Sequence, residues 1–102
     1  MRRIARSRTY VRQLQGLLDY GARAFGSRVA NTKLARVDRV LEHLAHFPAS
    51  GTPDVRLGLF AYPISKTPFV VIYDFDDDEL RIHFIVHGRA DRSLLDPKDV
   101  NW

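Results

Sequence analysis

The chain has 102 residues, 45% of them hydrophobic and 27% charged, which is typical of one small globular domain with a modest core. It has no cysteine, which excludes disulfides and thiolate chemistry and suits a reducing cytoplasm. No apolar run approaches the roughly 20 residues of a membrane span, and no signal-peptide core follows the basic start, so we expect a cytoplasmic protein without membrane contact.

The positive charge is concentrated in the first part of the chain. The formal net charge is +4, yet residues 1–40 hold ten Lys or Arg and only two Asp or Glu. Residues 74–79 hold five acidic residues and no basic one. This asymmetry suggests an acidic partner, either nucleic acid or an acidic protein; the alternative is that the arginines form ordinary solvated helix faces.

The first elements are a short strand and a helix. Residues 2–6 are predicted to form an edge strand, and Ser7 or Thr9 can accept a hydrogen bond from the first turn of the helix that follows. Apolar residues recur in this helix at three- and four-residue steps, which predicts one buried stripe: Val11, Leu14, Leu18, Ala22 and Phe25.

A second helix follows after a tight break. Gly26 ends the first helix, Ser27 can cap the second, and Pro48 stops it. Its stripe has a regular 4-3-4-3 spacing: Ala30, Leu34, Val37, Leu41 and Leu44. Because the break is so short, the two helices are expected to pack antiparallel.

The rest of the chain is predicted to form three strands. Val55, Leu57 and Leu59 alternate with other residues as in a strand, and residues 69–75 have the apolar composition of a central strand. The acidic residues 76–78 predict a turn. In the last strand one face is predicted to carry Leu80, Ile82, Phe84 and Val86, and the other Arg81, His83, Ile85 and His87.

These elements predict an α+β fold of one domain, residues 1–102, with the order β-α-α-β-β-β. The sheet is expected to be antiparallel, with the two-helix hairpin packed on one face. The other face is only partly apolar, so a partner or substrate is expected there. Residues 93–102 are predicted to be irregular or to form a short turn.

Four segments of the chain together resemble the RelE/ParE superfamily of bacterial type II toxins. The segments are Tyr20, Phe25 and Ala30 around the helix break; Leu44 followed by Pro48 and Gly51; the strand Pro68-Phe69-Val70-Val71-Ile72-Tyr73; and the corner Val86-His87-Gly88-Arg89-Ala90-Asp91. The resemblance covers nearly the whole chain. It implies the toxin of a type II toxin–antitoxin pair, with the growth inhibition and plasmid stabilisation associated with such pairs.

The branch of the superfamily decides the mechanism. RelE-like toxins cut mRNA in the ribosome, and they tend to place an arginine where this chain has Val70. The chain also lacks a lysine pair, whereas Pro68-Phe69 and His87-Gly88 are similar to ParE, whose members poison DNA gyrase by protein contact. The resemblance therefore favours a ParE-like inhibitor of gyrase that is not an enzyme. Two alternatives stay open: a ribosome-dependent mRNA endoribonuclease of the RelE type, and a non-toxic interaction module with the same fold.

A nuclease would need basic and acid–base groups near the scissile phosphate. The candidates for such a catalytic site are His87, Arg89, His83 and Arg81. The favoured alternative for His87 is a structural role, in which it caps the turn that follows its strand. His83 and His87 lie about 13 Å apart along a strand, too far for a shared metal, so neither a metal nor another cofactor is expected.

The expected partner is a cognate antitoxin that is acidic and partly disordered when free. Such segments fold on binding, as a helix in a groove or as an added strand. Aromatic and arginine residues are the usual anchors of interfaces. The residues predicted to bind the partner are Arg12, Arg23, Arg28, Arg36, Phe60, Tyr62 and Trp102.

Overall fold

The computed structural model describes all residues, 1–102, as two helices beside one five-stranded sheet. In chain order the elements are β1 (Arg3–Arg6), α1 (Arg8–Phe25), α2 (Ser27–His46), β2 (Thr52–Asp54), β3 (Leu59–Pro63), β4 (Phe69–Phe75) and β5 (Glu79–His87). Short 3₁₀ turns lie at Pro48–Ser50, Arg92–Leu94 and Pro97–Asp99. The predicted α+β class and the helix hairpin are confirmed. Neither helix has the length and apolar character that crossing a membrane requires.

The sheet has the strand order β1-β5-β4-β3-β2. The strands from β2 to β5 pair antiparallel, as predicted, but β1 pairs parallel with β5, so the sheet is mixed. A hairpin turn makes its two strands antiparallel, whereas β1 and β5 are joined through the rest of the domain and are free to run in the same direction.

The start of α1 is fixed by Ser7. Its hydroxyl accepts from the Tyr10 N–H and donates to the His83 carbonyl, both at 2.8 Å, which ties the helix to β5. The ridge of α1 that lies against the core is Tyr10, Leu14, Leu17 and Gly21. Of the predicted stripe, Leu14, Leu18 and Ala22 are half-buried, so the prediction holds in the middle of the helix and is wrong at its two ends. Val11 and Phe25 are 40% and 63% exposed. Counting aliphatic residues misses this ridge because it includes an amphipathic tyrosine and a glycine.

The predicted core face of α2 is confirmed at Ala30, Val37, Leu41 and Leu44, while Leu34 is only half-buried. Gly26 lies between the helices with φ of +92°, a conformation that glycine adopts without strain, and it is the residue that precedes α2. Ser27 was expected to cap α2 but is its first residue, and no side chain caps this end.

The predicted strand through Val55 and Leu57 is wrong. The Asp54 carboxylate accepts from the Leu57 N–H at 3.1 Å, and the Gly58 N–H donates to the Asp54 carbonyl at 2.9 Å. These bonds turn the chain between β2 and β3, with Gly58 at φ of +68°. Leu57 is nevertheless buried, because the turn folds its side chain onto the sheet.

The hairpin of β4 and β5 is confirmed, including the turn at residues 76–78, but the predicted alternation along β5 fails at His83. Ile72 pairs with Phe84 and Tyr73 pairs with Ile82, so His83 is an extra residue, a β-bulge. The bulge reverses which side each later residue occupies. Leu80, Ile82 and Ile85 therefore belong to the core under the helices, and Phe84 belongs to the second face.

The second face of the sheet is not left open. It carries a smaller buried cluster, Leu57, Leu59, Ala61, Val70, Ile72 and Phe84. Leu95 and Val100 from the C-terminal segment pack on this cluster. The segment returns to the start of α1, where the Arg8 and Thr9 N–H groups donate to the Asn101 carbonyl. The tail thus occupies part of the surface on which a partner was expected.

Candidate functional site

The four candidate catalytic residues are Arg81, His83 and His87 on β5 and Arg89 just after it, and they divide into two groups. Arg81 pairs with Asp74 of β4 near the acidic turn, and His87 pairs with Phe69 at the other end of the strand. Six residues of strand separate Arg81 from His87, which is about 20 Å. The structure therefore brings Arg81 together with His83, and His87 with Arg89, but does not bring the two pairs together.

Arg81 is surrounded by carboxylates. Its guanidinium makes two bonds to Asp74, at 2.9 and 3.2 Å, and further bonds to Asp76 at 2.8 Å and Glu79 at 3.4 Å. The hydrogen bonds that Arg81 donates to Asp74 and Asp76 hold the pKa of Arg81 above its usual range. The charge of this arginine is thus compensated within the molecule.

His83 shares Asp74 with Arg81. Its Nε2–H donates to Asp74 Oδ1 at 2.9 Å, and its Nδ1 is buried without a hydrogen-bond partner. Trp102 lies edge-on against the ring, with centroids 5.0 Å apart, and His83 is 8% exposed. Partial burial raises the pKa of Asp74, but the bonds from Arg81 and His83 outweigh it, so the pKa of this carboxyl lies below its usual value.

The His87 corner is a turn held by local bonds. The Arg89 N–H donates to His87 Nδ1 at 3.1 Å, and the Gly88 N–H donates to the Pro68 carbonyl at 2.7 Å. The Asp91 carboxylate accepts from the Ser93 N–H at 2.9 Å, which lowers the pKa of Asp91. No three His, Cys, Asp or Glu side chains are arranged to hold a metal ion.

The predicted partner-binding aromatics lie on different sides of the molecule. Phe60 and Tyr62 pack against the core under the helices, and Tyr62 also faces His43 at the end of α2. Trp102 lies against His83 on the second face. The structure therefore does not gather these three side chains into one patch.

The predicted arginines are free of ion pairs but spread over both helices. Arg12 lies in a shallow cleft between α1 and β5, and Arg23 lies in the last turn of α1. Arg28 and Arg36 line a groove on the outer side of α2. The positive charge thus covers a broad surface, and no acidic side chain of the chain pairs with these four residues.

Sequence reasoning missed a cleft at the tip of the helix hairpin, which we call the aromatic cleft. Its volume is about 350 Å³, and its lining residues are Leu17, Tyr20, Gly21, Phe25, Lys33, Pro68, Phe69 and His87. Tyr20 and Phe25 are 71% and 63% exposed, and the Lys33 ammonium lies 5.4 Å from the Phe25 ring centroid. Sequence reasoning had only Tyr20 as a signal, since it falls off the predicted stripe, whereas Phe25 was assigned to that stripe and its exposure was not expected.

The family comparison agrees with this fold over most of the chain. Residues 4–92 match the model of the ParE toxin of type II toxin–antitoxin systems, parDE. The chain belongs to the ParE toxin family. The match includes both helices and every strand except the first residue of β1, and it ends within the C-terminal segment. The resemblance inferred from the sequence, including the ParE branch, is confirmed.

A solved structure also resembles this ParE family member. A chain from the chromosomal ParDE TA system from P. aeruginosa superposes with a TM-score of 0.77 and 17% sequence identity. The alignment covers 85% of the present chain and 96% of that chain. This likeness establishes a shared fold. No curated protein matches the chain.

Proposed function

We propose that this toxin inhibits DNA gyrase by binding it, that it acts in the cytoplasm, and that a cognate antitoxin neutralises it. Membership of the ParE toxin family supports the toxin role and the existence of an antitoxin. The target is the finer part of the proposal, and it rests on the state of the candidate catalytic groups.

The observation that carries the proposal is the engagement of Arg81. Three carboxylates surround its guanidinium, so binding a scissile phosphate there would require breaking an ion-pair network. His83, the neighbouring imidazole, is bound to Asp74 and covered by Trp102. A basic group and an acid–base group free to act on one phosphate are what an endonuclease needs, and this face offers neither.

The pair at the other end of β5 supports the same conclusion. His87 uses its Nδ1 to accept from the Arg89 N–H, which is the structural role favoured from the sequence. Its side chain is exposed beside the aromatic cleft. We therefore assign His87 to the binding surface and not to catalysis.

The aromatic cleft is the surface that fits an antitoxin. The exposed rings of Tyr20 and Phe25 and the aliphatic Leu17 form an apolar surface against which one or two partner side chains can pack. No acidic residue lines it, while Lys33 is part of the wall and Arg12 lies in the adjoining cleft, which also contains Leu17 and His87. An amphipathic acidic segment would bury apolar side chains there and place its carboxylates against these cations. Arg28 and Arg36 would act on the approaching antitoxin only from a distance.

Induction of the toxin in cells, without its antitoxin, tests the proposed target. Gyrase poisoning produces double-strand breaks and an SOS response, whereas a ribosome-dependent nuclease produces mRNA cleavage at codon boundaries. We expect the first pattern. The second would establish the RelE-type alternative, and normal growth with a folded, expressed protein would support the non-toxic module.

A single substitution sharpens the test. Because His87 has a structural role, His87→Ala should leave most of the growth inhibition intact. The variant is expressed without antitoxin, since His87 lies at the antitoxin cleft, and circular dichroism of the purified protein confirms its fold. Complete loss of toxicity in a folded His87→Ala protein would support a nuclease in which this imidazole is catalytic.

A further inference from the structure

A polar groove runs along the outer side of α2, away from the aromatic cleft. Its volume is about 620 Å³, and its lining residues are Ser27, Arg28, Asn31, Thr32, Ala35, Arg36 and Arg39. Every lining side chain except that of Ala35 carries a hydrogen-bond donor, although the Thr32 hydroxyl already donates to the Arg28 carbonyl at 3.0 Å. None of the three arginines takes part in an ion pair. We call this surface the arginine groove.

Helix geometry places these donors in one row. The spacing from Arg28 to Asn31 and Thr32, and from Arg36 to Arg39, is three or four residues, so neighbours share a face. The eleven residue steps from Arg28 to Arg39 span about 16 Å at 1.5 Å per residue. On duplex DNA that length corresponds to the axial rise of about five phosphates of one strand, at roughly 3.4 Å each, which is more than the three arginines need.

The acidic residues of α2 do not neutralise the row. Asp38 faces the opposite helix, where its charge helps to raise the pKa of Tyr10 on α1. Glu42 is exposed beyond Arg39 and forms no ion pair with it. A smaller groove continues the surface past Arg36 and Arg39 to Ser65, in the connection between β3 and β4.

The side chains that line the groove favour a phosphate backbone over a protein as the binding partner. Protein interfaces depend on a few buried apolar or aromatic anchors, and Ala35 is the only hydrophobic residue here. Arg, Ser, Thr and Asn side chains are instead the usual donors to phosphate oxygens. No aromatic residue lines the groove, so the stacking that holds single strands is also missing.

We propose that the arginine groove binds the phosphate backbone of double-stranded DNA without reading its sequence. Each of Arg28, Arg36 and Arg39 neutralises one phosphate, and the Asn31 side chain adds a neutral hydrogen bond between them. This activity is independent of the antitoxin and of the aromatic cleft.

Fluorescence anisotropy with a labelled duplex of about 24 base pairs tests the proposal, because phosphate neutralisation sets the salt dependence of binding. The test protein carries Arg28→Gln, Arg36→Gln and Arg39→Gln. A control with the same loss of charge carries Arg3→Gln, Arg8→Gln and Lys98→Gln, all exposed residues outside the groove. Thermal melts of both proteins confirm that they fold.

The expected result is that DNA affinity depends less steeply on salt in the groove variant than in the wild-type protein or the control. Three phosphate contacts contribute about 2.7 to the slope of log K against log salt, at about 0.9 each. Between about 50 and 200 mM salt, the wild-type affinity should therefore fall about 40-fold more than that of the groove variant. The control should keep the wild-type slope.

Three results would overturn the proposal. An equal decrease of salt dependence in the control would mean that only net charge matters. Absence of duplex binding by the wild-type protein at low salt would exclude the site. Tighter binding of a single strand of the same length, or of a polyglutamate peptide, with the same dependence on the three arginines would assign the groove to a different partner.

Discussion

Arg81 illustrates how the neighbours of one side chain decide what it can do. On the sequence it is a cation on a strand near a histidine, and either a catalytic or a structural role is open. In the folded chain Asp74, Asp76 and Glu79 all bond to it, and Trp102 covers the adjacent His83. Residues far apart in sequence create this environment, so strand periodicity alone gives no sign of it.

The acidic partners of Arg81 predict how stability depends on pH. The Arg81 hydrogen bond and two backbone N–H groups lower the pKa of Asp76 to about 2, against about 3.9 in the unfolded chain. Between these values the unfolded state binds more protons, so the contribution is complete above pH of about 4 and is lost as the pH falls toward 2. As the pH falls through this range, the melting temperature of Asp76→Asn should decline less steeply than that of the wild-type protein. Asp77→Asn is the control, since Asp77 makes no side-chain bond; a decline in Asp76→Asn as steep as in the wild type would contradict the assignment.

Two buried tyrosines predict opposite responses to loss of the hydroxyl group. Tyr73 donates to the Pro48 carbonyl at 2.6 Å and accepts from the Gly51 N–H at 3.0 Å, whereas the Tyr10 hydroxyl is buried without a partner. Burial raises the pKa of Tyr10 to about 12, and the nearby Arg6 opposes this rise. Tyr73→Phe should lower the free energy of unfolding by about 1–3 kcal/mol, and Tyr10→Phe should leave it nearly unchanged or raise it. Urea unfolding measures both, and similar losses in the two variants would contradict this difference.

At the scale of the elements, the clearest sequence patterns predicted the structure best. The apolar run of residues 69–75 forms β4 with the predicted bounds, and the regular stripe of α2 faces the core. Both signals are local, since each depends only on the spacing of apolar residues within one element. The acidic turn between β4 and β5 was predictable for the same reason.

The elements that sequence reasoning placed wrongly depend on details that periodicity does not contain. The bulge at His83 shifts the phase of β5 by one residue, and the apolar pattern continues on both sides of it. The turn after β2 depends on the Asp54 carboxylate and on the conformation of Gly58, while Leu57 still reads as apolar. In α1, Tyr10 and Gly21 occupy the buried ridge, although neither adds to an aliphatic stripe.

The different exposure of the two helix stripes predicts different costs of truncation. Leu41 of α2 is 0% exposed, and Leu41→Ala should cost about 2–5 kcal/mol of unfolding free energy, because it removes packing and leaves a cavity. Val11→Ala on the exposed side of α1 should change the stability by no more than about 0.5 kcal/mol. Chemical denaturation of both variants provides the measurement. A Leu41→Ala protein with unchanged stability would show that α2 does not bury this face.

At the scale of the whole molecule, positive charge and exposed apolar surface both lie at the helix hairpin, as the proposed antitoxin interface requires. Six arginines without ion pairs lie on the two helices, and Arg81 is bound to the acidic turn between β4 and β5. The aromatic cleft has Lys33 in its wall and Arg12 in the adjoining cleft, and it contains Tyr20 and Phe25, two large hydrophobic side chains that are mostly exposed. Charge should thus guide an acidic antitoxin toward the toxin, and the cleft should hold it.

This division of roles predicts separable effects on binding kinetics. Raising the salt concentration should slow association of toxin and antitoxin far more than it speeds dissociation, because screening weakens steering between separated molecules. Phe25→Ala should instead speed dissociation about tenfold or more, as loss of an interface anchor does, while Val55→Ala at an exposed site of the β2–β3 turn should not. Stopped-flow measurements across a salt series give both rates. An association rate that is flat with salt would mean that the basic helices are ordinary solvated faces.

The central claim is that this ParE family toxin acts by contact with gyrase, and a supercoiling assay with purified gyrase tests it most directly. We predict that the toxin inhibits supercoiling and leaves cleaved DNA, that His87→Ala does the same, and that the cognate antitoxin restores activity. Gyrase that supercoils normally with excess folded toxin, while the same preparation cleaves mRNA on ribosomes, would contradict the account.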